Sequence, residues 1–481
     1  MGRELPHQAE HTVITRRRLA HAAPITIALL VVGAAVFWLH ARFAIEAESV
    51  VLRLGVTFLL AFLILLVIRY VVLLWLSYMH HIGMRNTERG TTVDAPVSII
   101  VPAFNEGPVI EAAIGSLLEL DWHSFEIIVI DDGSTDDTYE RACALEGTHG
   151  AATVRVIRKA NAGKASALNT GLAVASSPFV LCMDADSRLS RDTLRLAMRH
   201  FSDPRIGAVA GNVKVVNRGT LWTRLQALEY IQGLNLPRRA QGFLRVVNII
   251  PGPIGVFRRE VLTRVGGYDT DTFAEDADVT IKILGAGWQI VYENGAVAWT
   301  EAPETVHELL KQRYRWTRGI LQALRKRGDW LARPRGDMAV WISLQALLFE
   351  AIVWPVFNVV GNLLFAIAAL SLGTAAMVMH WWLLLTMLDL AAALHTVAME
   401  EEDITLVPLA IPYRFFFITL IDVAKMFATV EEFARVRMTW GKLDRRGAGG
   451  ARGAESAEGS VPLFLSAPSA LSASSASAHS P

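Results

Sequence analysis

The sequence predicts an α/β domain with a parallel sheet, set between two groups of membrane-spanning helices. Three observations carry this. Apolar runs long enough to cross a bilayer lie toward both ends of the chain, and none lies between about residues 95 and 330. Within that interval short apolar runs alternate with helix-length segments. Asn105-Glu106, Asp131-Asp132 and Asp184-Ala185-Asp186 each fall where an apolar run ends, and that edge of a parallel sheet is where ligands bind.

Composition agrees with a membrane protein. The chain has 481 residues, 52% of them hydrophobic, and a mean hydropathy of +0.35, high for a soluble protein. Lys+Arg and Asp+Glu number 46 each, a balance that gives no sign of a nucleic-acid partner. The two cysteines, Cys143 and Cys182, form neither a disulfide framework nor a zinc set, which fits a reducing cytosolic compartment.

Taken in order, residues 1–23 read as a polar cytosolic N-terminus ending near Arg16-Arg17-Arg18, and 24–78 as two transmembrane helices, 24–45 and 50–78. The first run is too long for the apolar core of a cleaved signal peptide. Arginines flank the pair at 16–18 and at Arg85 and Arg89, which places both ends in the cytoplasm. Arg69 sits inside the second span, either snorkelling to the headgroups or lining a polar path.

The interval 95–330 is the expected soluble domain. Strands are expected at 97–101, 126–130, 153–157, 179–183 and 207–216, and helices at 109–120, 164–175, 220–239 and 277–285. Asp184 and Asp186, at the end of the 179–183 strand, suit a hard divalent cation, Mg²⁺ or Mn²⁺, that grips a diphosphate; a solvated loop start has the same pattern. Asp131 or Asp132 suits the ring N–H of a uracil base, and Asp-Gly-Ser-Thr is equally good turn and cap chemistry. Lys164 opens a helix, where a lysine is unfavourable for the dipole, so a bound anion there would compensate. Gly252, within Pro251-Gly252-Pro253, could let a sugar approach the backbone. Glu275 and Asp276 open the 277–285 helix; they serve as caps, or Asp276 serves as a general base toward an acceptor hydroxyl. Gln312-Arg313-Tyr314-Arg315-Trp316 lies in an amphipathic stretch, 305–330. Its arginines and Gln312 suit a diphosphate and Trp316 a sugar face, and the same pattern fits a helix on the membrane surface.

Together, Asp131-Asp132-Gly133-Ser134, Asp184-Ala185-Asp186, Glu275-Asp276-Ala277-Asp278 and Gln312-Arg313-Tyr314-Arg315-Trp316 resemble, in order, the motifs of family 2 glycosyltransferases, specifically the processive membrane synthases of cellulose, chitin, hyaluronan and poly-β-1,6-N-acetylglucosamine. The resemblance covers about residues 95–330. It implies a GT-A (Rossmann-like, nucleotide-sugar-binding) cytosolic domain between transmembrane helices and inverting transfer from a UDP-sugar. It also implies a divalent metal on Asp184 and Asp186, and catalysis by Asp276 with Glu275 beside it. Asn105, Glu106, Asp131, Asp132, Lys164, Asp184, Gln312, Arg313, Arg315 and Trp316 are then expected to bind the UDP-sugar, and Gly252 and Trp316 the acceptor. Ala274 stands where many members carry a hydroxyl residue. Gly211-Asn212-Val213, Phe257-Arg258-Arg259 and Trp440-Gly441-Lys442 look most like the poly-β-1,6-N-acetylglucosamine synthases.

The resemblance thus implies an inner-membrane enzyme that polymerises N-acetylglucosamine from UDP-N-acetylglucosamine into an exported exopolysaccharide and moves the growing polysaccharide across the lipid bilayer. A small membrane partner subunit is a feature of the nearest-looking branch. A hyaluronan, chitin-oligomer or other β-glucan synthase stands close behind. A non-processive lipid-linked sugar transferase is disfavoured by the 312–316 motif and the later spans, and an inactive nucleotide-sugar receptor by retention of every acidic motif residue.

Three further apolar segments are expected within 338–428, at 338–370, 374–397 and 406–428. Three spans would put the C-terminus outside, whereas Arg435, Arg437, Lys442, Arg445 and Arg446 favour the cytosol; the first segment, interrupted by Glu350, Pro355 and Asn358, is the one suspected of not crossing. Asp389, His395, Asp422 and Lys425 lie in or near these spans, lining a water-filled path or making contacts between helices. The Gly/Ala/Ser/Pro-rich tail, 447–481, is expected to be disordered.

Overall fold

The computed structural model describes residues 50–87, 92–333, 337–371 and 375–436. The expected N-terminus, the first expected span, the 440–442 stretch and the 447–481 tail lie outside the described residues.

The described chain begins with a long helix, α1 (Val50–Thr87). The soluble domain then lays down β1 (Val97–Ala103), α2 (Gly107–Leu118), β2 (Phe125–Asp131), β3 (Gly147–His149), β4 (Ala152–Arg158), α3 (Lys164–Val174), β5 (Phe179–Cys182), β6 (Ser187–Leu189) and β7 (Ile206–Val215). Next come α4 (Leu221–Glu229), α5 (Leu236–Phe243), β8 (Gly255–Arg258), α6 (Glu275–Gly285), β9 (Gln289–Thr300) and α7 (Val306–Lys326). The strands form one sheet in the order β3-β4-β2-β1-β5-β8-β7-β9-β6.

The half that carries the acidic strand ends is parallel: β1 pairs with β2 and β5, and β2 with β4. Alternation along β1 explains its burial on both faces. Ile99 and Val101 join Ile110, Ile114 and Leu117 of α2 in one core, while Ile100 joins Ala167 and Leu168 of α3 in the other. The approach of α3 is close: a Cβ on Gly171 would lie 2.4 Å from Ile100 Cγ2.

Beyond β5 the sheet departs from the parallel expectation, because β8 runs antiparallel to both β5 and β7. With four residues directly after a Gly-Pro loop, β8 is too short to show a period, and the sheet is mixed. The helix expected over 220–239 is also divided. A π-helical segment, Tyr230–Asn235, separates α4 from α5, and Pro237 stands at the first turn of α5. Proline has no N–H for the preceding turn, and the wider segment absorbs that loss.

After α7 come α8 (Met338–Leu348), α9 (Trp354–Ser371), α10 (Ala375–Met399) and α11 (Ile418–Phe433). Four helical stretches among the described residues are long and apolar enough to cross a membrane: Thr57–Met84, Met338–Ile367, Trp382–Met399 and Ile404–Phe433. Their polar residues meet one another. Arg69 Nε donates to Glu350 (2.7 Å), Asn358 Nδ2 to Asp422 (2.6 Å), and the Tyr70 hydroxyl to Asp389 (2.6 Å), which also accepts from Arg414. Glu350 and Asn358, which interrupt the apolar pattern, therefore serve as interhelical contacts within a helix that continues.

Candidate active site

The site is assembled from loops at the C-terminal ends of β1, β2 and β5. After β1, Asn105 adopts φ 52° and turns the chain. Its N–H donates to Ser134 Oγ (2.9 Å), and its Oδ1 accepts from the Thr135 N–H (2.7 Å). The Glu106 N–H donates to Thr138 Oγ1 (2.7 Å), so the loops after β1 and β2 are stitched together.

Both carboxylates that the sequence offers to a base are engaged by the protein. Asp131 is fully buried, accepts from the Ser134 N–H, and has Arg158 Nε 3.2 Å from its Oδ2. Asp132 pairs with Lys159 (2.5 Å) and accepts from the backbone N–H groups of Ala162 and Gly163 (2.7 Å to the latter). Asp132 thereby anchors the Asn161–Gly163 turn, whose Gly163, at φ 89°, starts α3 and aims Lys164.

Lys164 Nζ lies 2.7 Å from Asp184 Oδ1 and 2.7 Å from Glu275 Oε1. The anions that a lysine at this helix start requires are the protein's own carboxylates. Burial disfavours the ammonium, but Asp184 and Glu275 outweigh it and hold the Lys164 pKa well above its ordinary value. Gly252 is pressed against this pair: a Cβ there would lie 2.9 Å from both Asp184 Oδ2 and Lys164 Nζ. Lys164, Asp184, Gly252, Tyr268, Glu275 and Asp276 line one cleft. Tyr268 donates to Cys182 Sγ (3.3 Å) in its wall.

Glu275 and Asp276 open α6 at the mouth of this cleft. Thr280 Oγ1 donates to the Asp276 carbonyl (2.5 Å) and accepts from the Ile250 N–H (3.0 Å), fixing the first turn of α6 to the Gly252 loop. Burial, reinforced by the Glu275 charge, pushes the Asp276 carboxyl up to about 6, with Lys164 opposing. A carboxylate so tuned suits proton abstraction near neutral pH.

The 312–316 residues are not brought into this cleft. Gln312 and Arg313 are buried on α7. Arg313 donates to both oxygens of Glu229, Nε at 2.8 Å and Nη2 at 2.5 Å, and also to Gln312 Oε1. Its guanidinium carbon lies 4.2 Å from the Trp316 ring centroid. Arg315 and Trp316 are half-buried. Glu229 is 84 residues from Arg313, and its one sequence signal is an acidic residue amid apolar neighbours. Arg238 on α5 also escapes motif reading. It is 9% exposed, and its hydrogen bond, to Asn235 Oδ1, is long at 3.4 Å. No acidic side chain among the described residues lies within ion-pair distance of it.

Asp184 and Asp186 stand at the edge of β5, Asp186 half-buried and accepting from Ser187 Oγ (3.1 Å). No group of three or more His, Cys, Asp or Glu side chains among the described residues is arranged for a metal ion. Asp184 and Asp186, one residue apart at the end of β5, offer the carboxylate oxygens that a divalent cation would take, with one oxygen of Asp184 at present held by Lys164.

Comparison with known proteins adds to this geometry. Residues 95–319 match the family model described as glycosyltransferase like family 2. A poly-beta-1,6-N-acetyl-D-glucosamine synthase of Staphylococcus aureus (strain COL) is 34% identical over 258 residues, which cover 53% of this chain and 61% of that protein. Its counterpart from Staphylococcus epidermidis is 33% identical over 257 residues, again 61% of its length. The chain thus matches under two thirds of the length of these relatives. A mannosyltransferase from Pyrobaculum calidifontis, solved in complex with GDP-Man and Mn²⁺, superposes with a TM-score of 0.55 at 23% identity, covering 76% of this chain and 99% of that one. At that identity the likeness concerns the fold.

Proposed function

We propose that this chain, whose residues 95–319 match the family 2 glycosyltransferase model, is a processive inverting glycosyltransferase of the inner membrane. In this reading it polymerises N-acetylglucosamine from UDP-N-acetylglucosamine into poly-β-1,6-N-acetylglucosamine and passes the polymer through its own helices, with the catalytic domain facing the cytoplasm. The observation that carries the catalytic reading is the cleft in which Asp276 faces the Lys164–Asp184 pair. The names of the staphylococcal relatives support the choice of polymer, and the four apolar helices support a membrane location.

The chemistry follows from these positions. Asp276 takes the proton of the acceptor hydroxyl as that oxygen attacks the anomeric carbon from the face opposite the diphosphate. The bond from the anomeric carbon to the diphosphate oxygen breaks, and UDP leaves with the electron pair. Lys164 places a positive charge on the Asp184 side of the cleft, where the departing diphosphate gains negative charge. Asp184 and Asp186 would hold Mg²⁺ or Mn²⁺, which adds further positive charge for the leaving group. Trp316 offers a face on which an acceptor sugar stacks.

Purified full-length protein in nanodiscs with Mg²⁺ and UDP-N-acetylglucosamine tests this. Release of UDP with formation of a β-1,6-linked polymer is expected. Turnover that requires UDP-glucuronic acid as well would make the enzyme a hyaluronan synthase. A single sugar transferred to lipid would end the processive reading.

A further inference from the structure

Arg313 has a partner that leaves it unsuited to a diphosphate. Its charge is met by Glu229, through two hydrogen bonds to both carboxylate oxygens, and both residues are buried. Such a bidentate pair fixes the plane of the guanidinium. That plane lies against Trp316, 4.2 Å from guanidinium carbon to ring centroid. Arg313 and Trp316 are three apart on α7 and so share a face. The Thr317 hydroxyl donates to the Arg313 carbonyl (2.9 Å), adding a second tie within that turn. Tyr230, the residue after Glu229, completes the surroundings, with its ring centroid 6.4 Å from that of Trp316 and 5.9 Å from the Arg313 guanidinium.

Glu229 itself is placed by an unusual backbone. It is the last residue of α4, where the helix widens into the Tyr230–Asn235 π-helical segment. Such segments re-aim side chains that a regular helix would turn elsewhere. The Tyr413 hydroxyl, from a membrane-side helix, approaches the same segment at Gly233.

We infer that Glu229 is a positioning residue for the acceptor: through Arg313 it sets the tilt of the Trp316 ring on which the terminal sugar of the growing chain stacks. This rests on the functional reading above, and it assigns Arg313 to the ring and not to the leaving group. Acceptor affinity then depends on Glu229, although Glu229 does not touch the sugar. Donor affinity does not depend on it, because the donor-side groups, Lys164 and Asp184, are held by different partners.

The test uses full-length protein in nanodiscs, with acceptor oligosaccharides cut from the wild-type enzyme's own product. Polymer identity is thereby read separately, and an error in it leaves this test intact. Glu229→Gln keeps one acceptor oxygen for Arg313, and Glu229→Ala keeps none. The acceptor KM is expected to rise roughly tenfold in Glu229→Ala and less in Glu229→Gln, with the donor KM within about twofold of wild type in both. Acceptor and donor KM rising together, or kcat falling with both KM values unchanged, would overturn the assignment and leave Glu229 a packing residue. Glu229→Ala strands the buried Arg313 charge and so costs stability, which makes Glu229→Gln decisive on its own: with an unchanged melting midpoint and an unchanged acceptor KM it refutes the relay.

Discussion

Lys164 and Asp184 face each other across the end of the parallel sheet, Nζ to Oδ1 at 2.7 Å, and the same ammonium reaches Glu275 beside Asp276. One cation therefore joins Asp184, on the proposed leaving-group side of the cleft, to Glu275, the neighbour of the proposed base Asp276. Removing it leaves three carboxylates facing one another without a counter-charge.

Lys164→Met is accordingly expected to lower turnover by about two orders of magnitude, since an electrostatic group aimed at developing charge is worth that much. It should also lower the melting midpoint, because breaking a partly buried ion pair strands its partners. Steady-state UDP release and thermal unfolding in detergent read both effects. A variant with wild-type turnover would remove Lys164 from the mechanism.

Asp184→Asn tests the cation site. The proposal that Asp184 and Asp186 hold Mg²⁺ or Mn²⁺ predicts that chelation with EDTA stops UDP release, and that either ion restores it. In Asp184→Asn the metal concentration for half-maximal rate should rise roughly tenfold or more, as loss of one charged ligand requires. An unchanged metal titration would move the ion elsewhere.

The raised Asp276 pKa sets a pH dependence. The groups around it are Glu275 and Asp184, which raise it further, and Lys164, which opposes them; the buried Arg238 also feels its charge. As the proposed base, Asp276 works only when ionised, so the rate should fall on acidification with a limb near 6. The stability sign is the opposite of the usual carboxylate case. Between the ordinary value of 3.8 and about 6 the folded protein binds the extra proton, so this group favours folding at low pH and loses that advantage as pH rises through 6. Above pH 6 Asp276→Asn should therefore be the more stable protein, by up to about 3 kcal/mol. Melting midpoints of both proteins at pH 4 and pH 8 check the sign.

Arg238 is buried with one long hydrogen bond and no acidic partner among the described residues. Burial lowers its pKa, and the nearby Asp276 charge offsets part of that cost. Arg238→Met should raise the melting midpoint, since an apolar chain of similar length avoids that desolvation. It should also slow turnover, since a buried cation near the base is retained at a stability cost. A lower midpoint with full activity would show that the guanidinium is structural.

The parallel half of the sheet was legible because β1, β2 and β5 are apolar runs that stop at polar residues, and those stops placed Asp131, Asp132 and Asp184 on one edge. The antiparallel β8 was not, since four residues after Pro251-Gly252-Pro253 show no period. Asp276, Lys164, Asp184 and Gly252 were all singled out from sequence, and the structure gathers them into one cleft. The partners of those residues were hidden. A motif names residue types, whereas the pairing of Arg313 with Glu229 or of Asp132 with the backbone of Ala162 and Gly163 depends on contacts between distant segments. Among the described residues, hydropathy marked segments that form long apolar helices, but the pairing of Arg69 with Glu350 depends on how the helices meet.

Asp276 is proposed to take the acceptor's proton. Asp276→Asn in the full-length protein, with single-turnover transfer from radiolabelled UDP-N-acetylglucosamine to an oligosaccharide acceptor, tests it most directly. Nucleotide-sugar binding close to wild type is expected, with transfer slowed by roughly 10²–10⁴-fold, the range for loss of a general base. Transfer at the wild-type rate would contradict it.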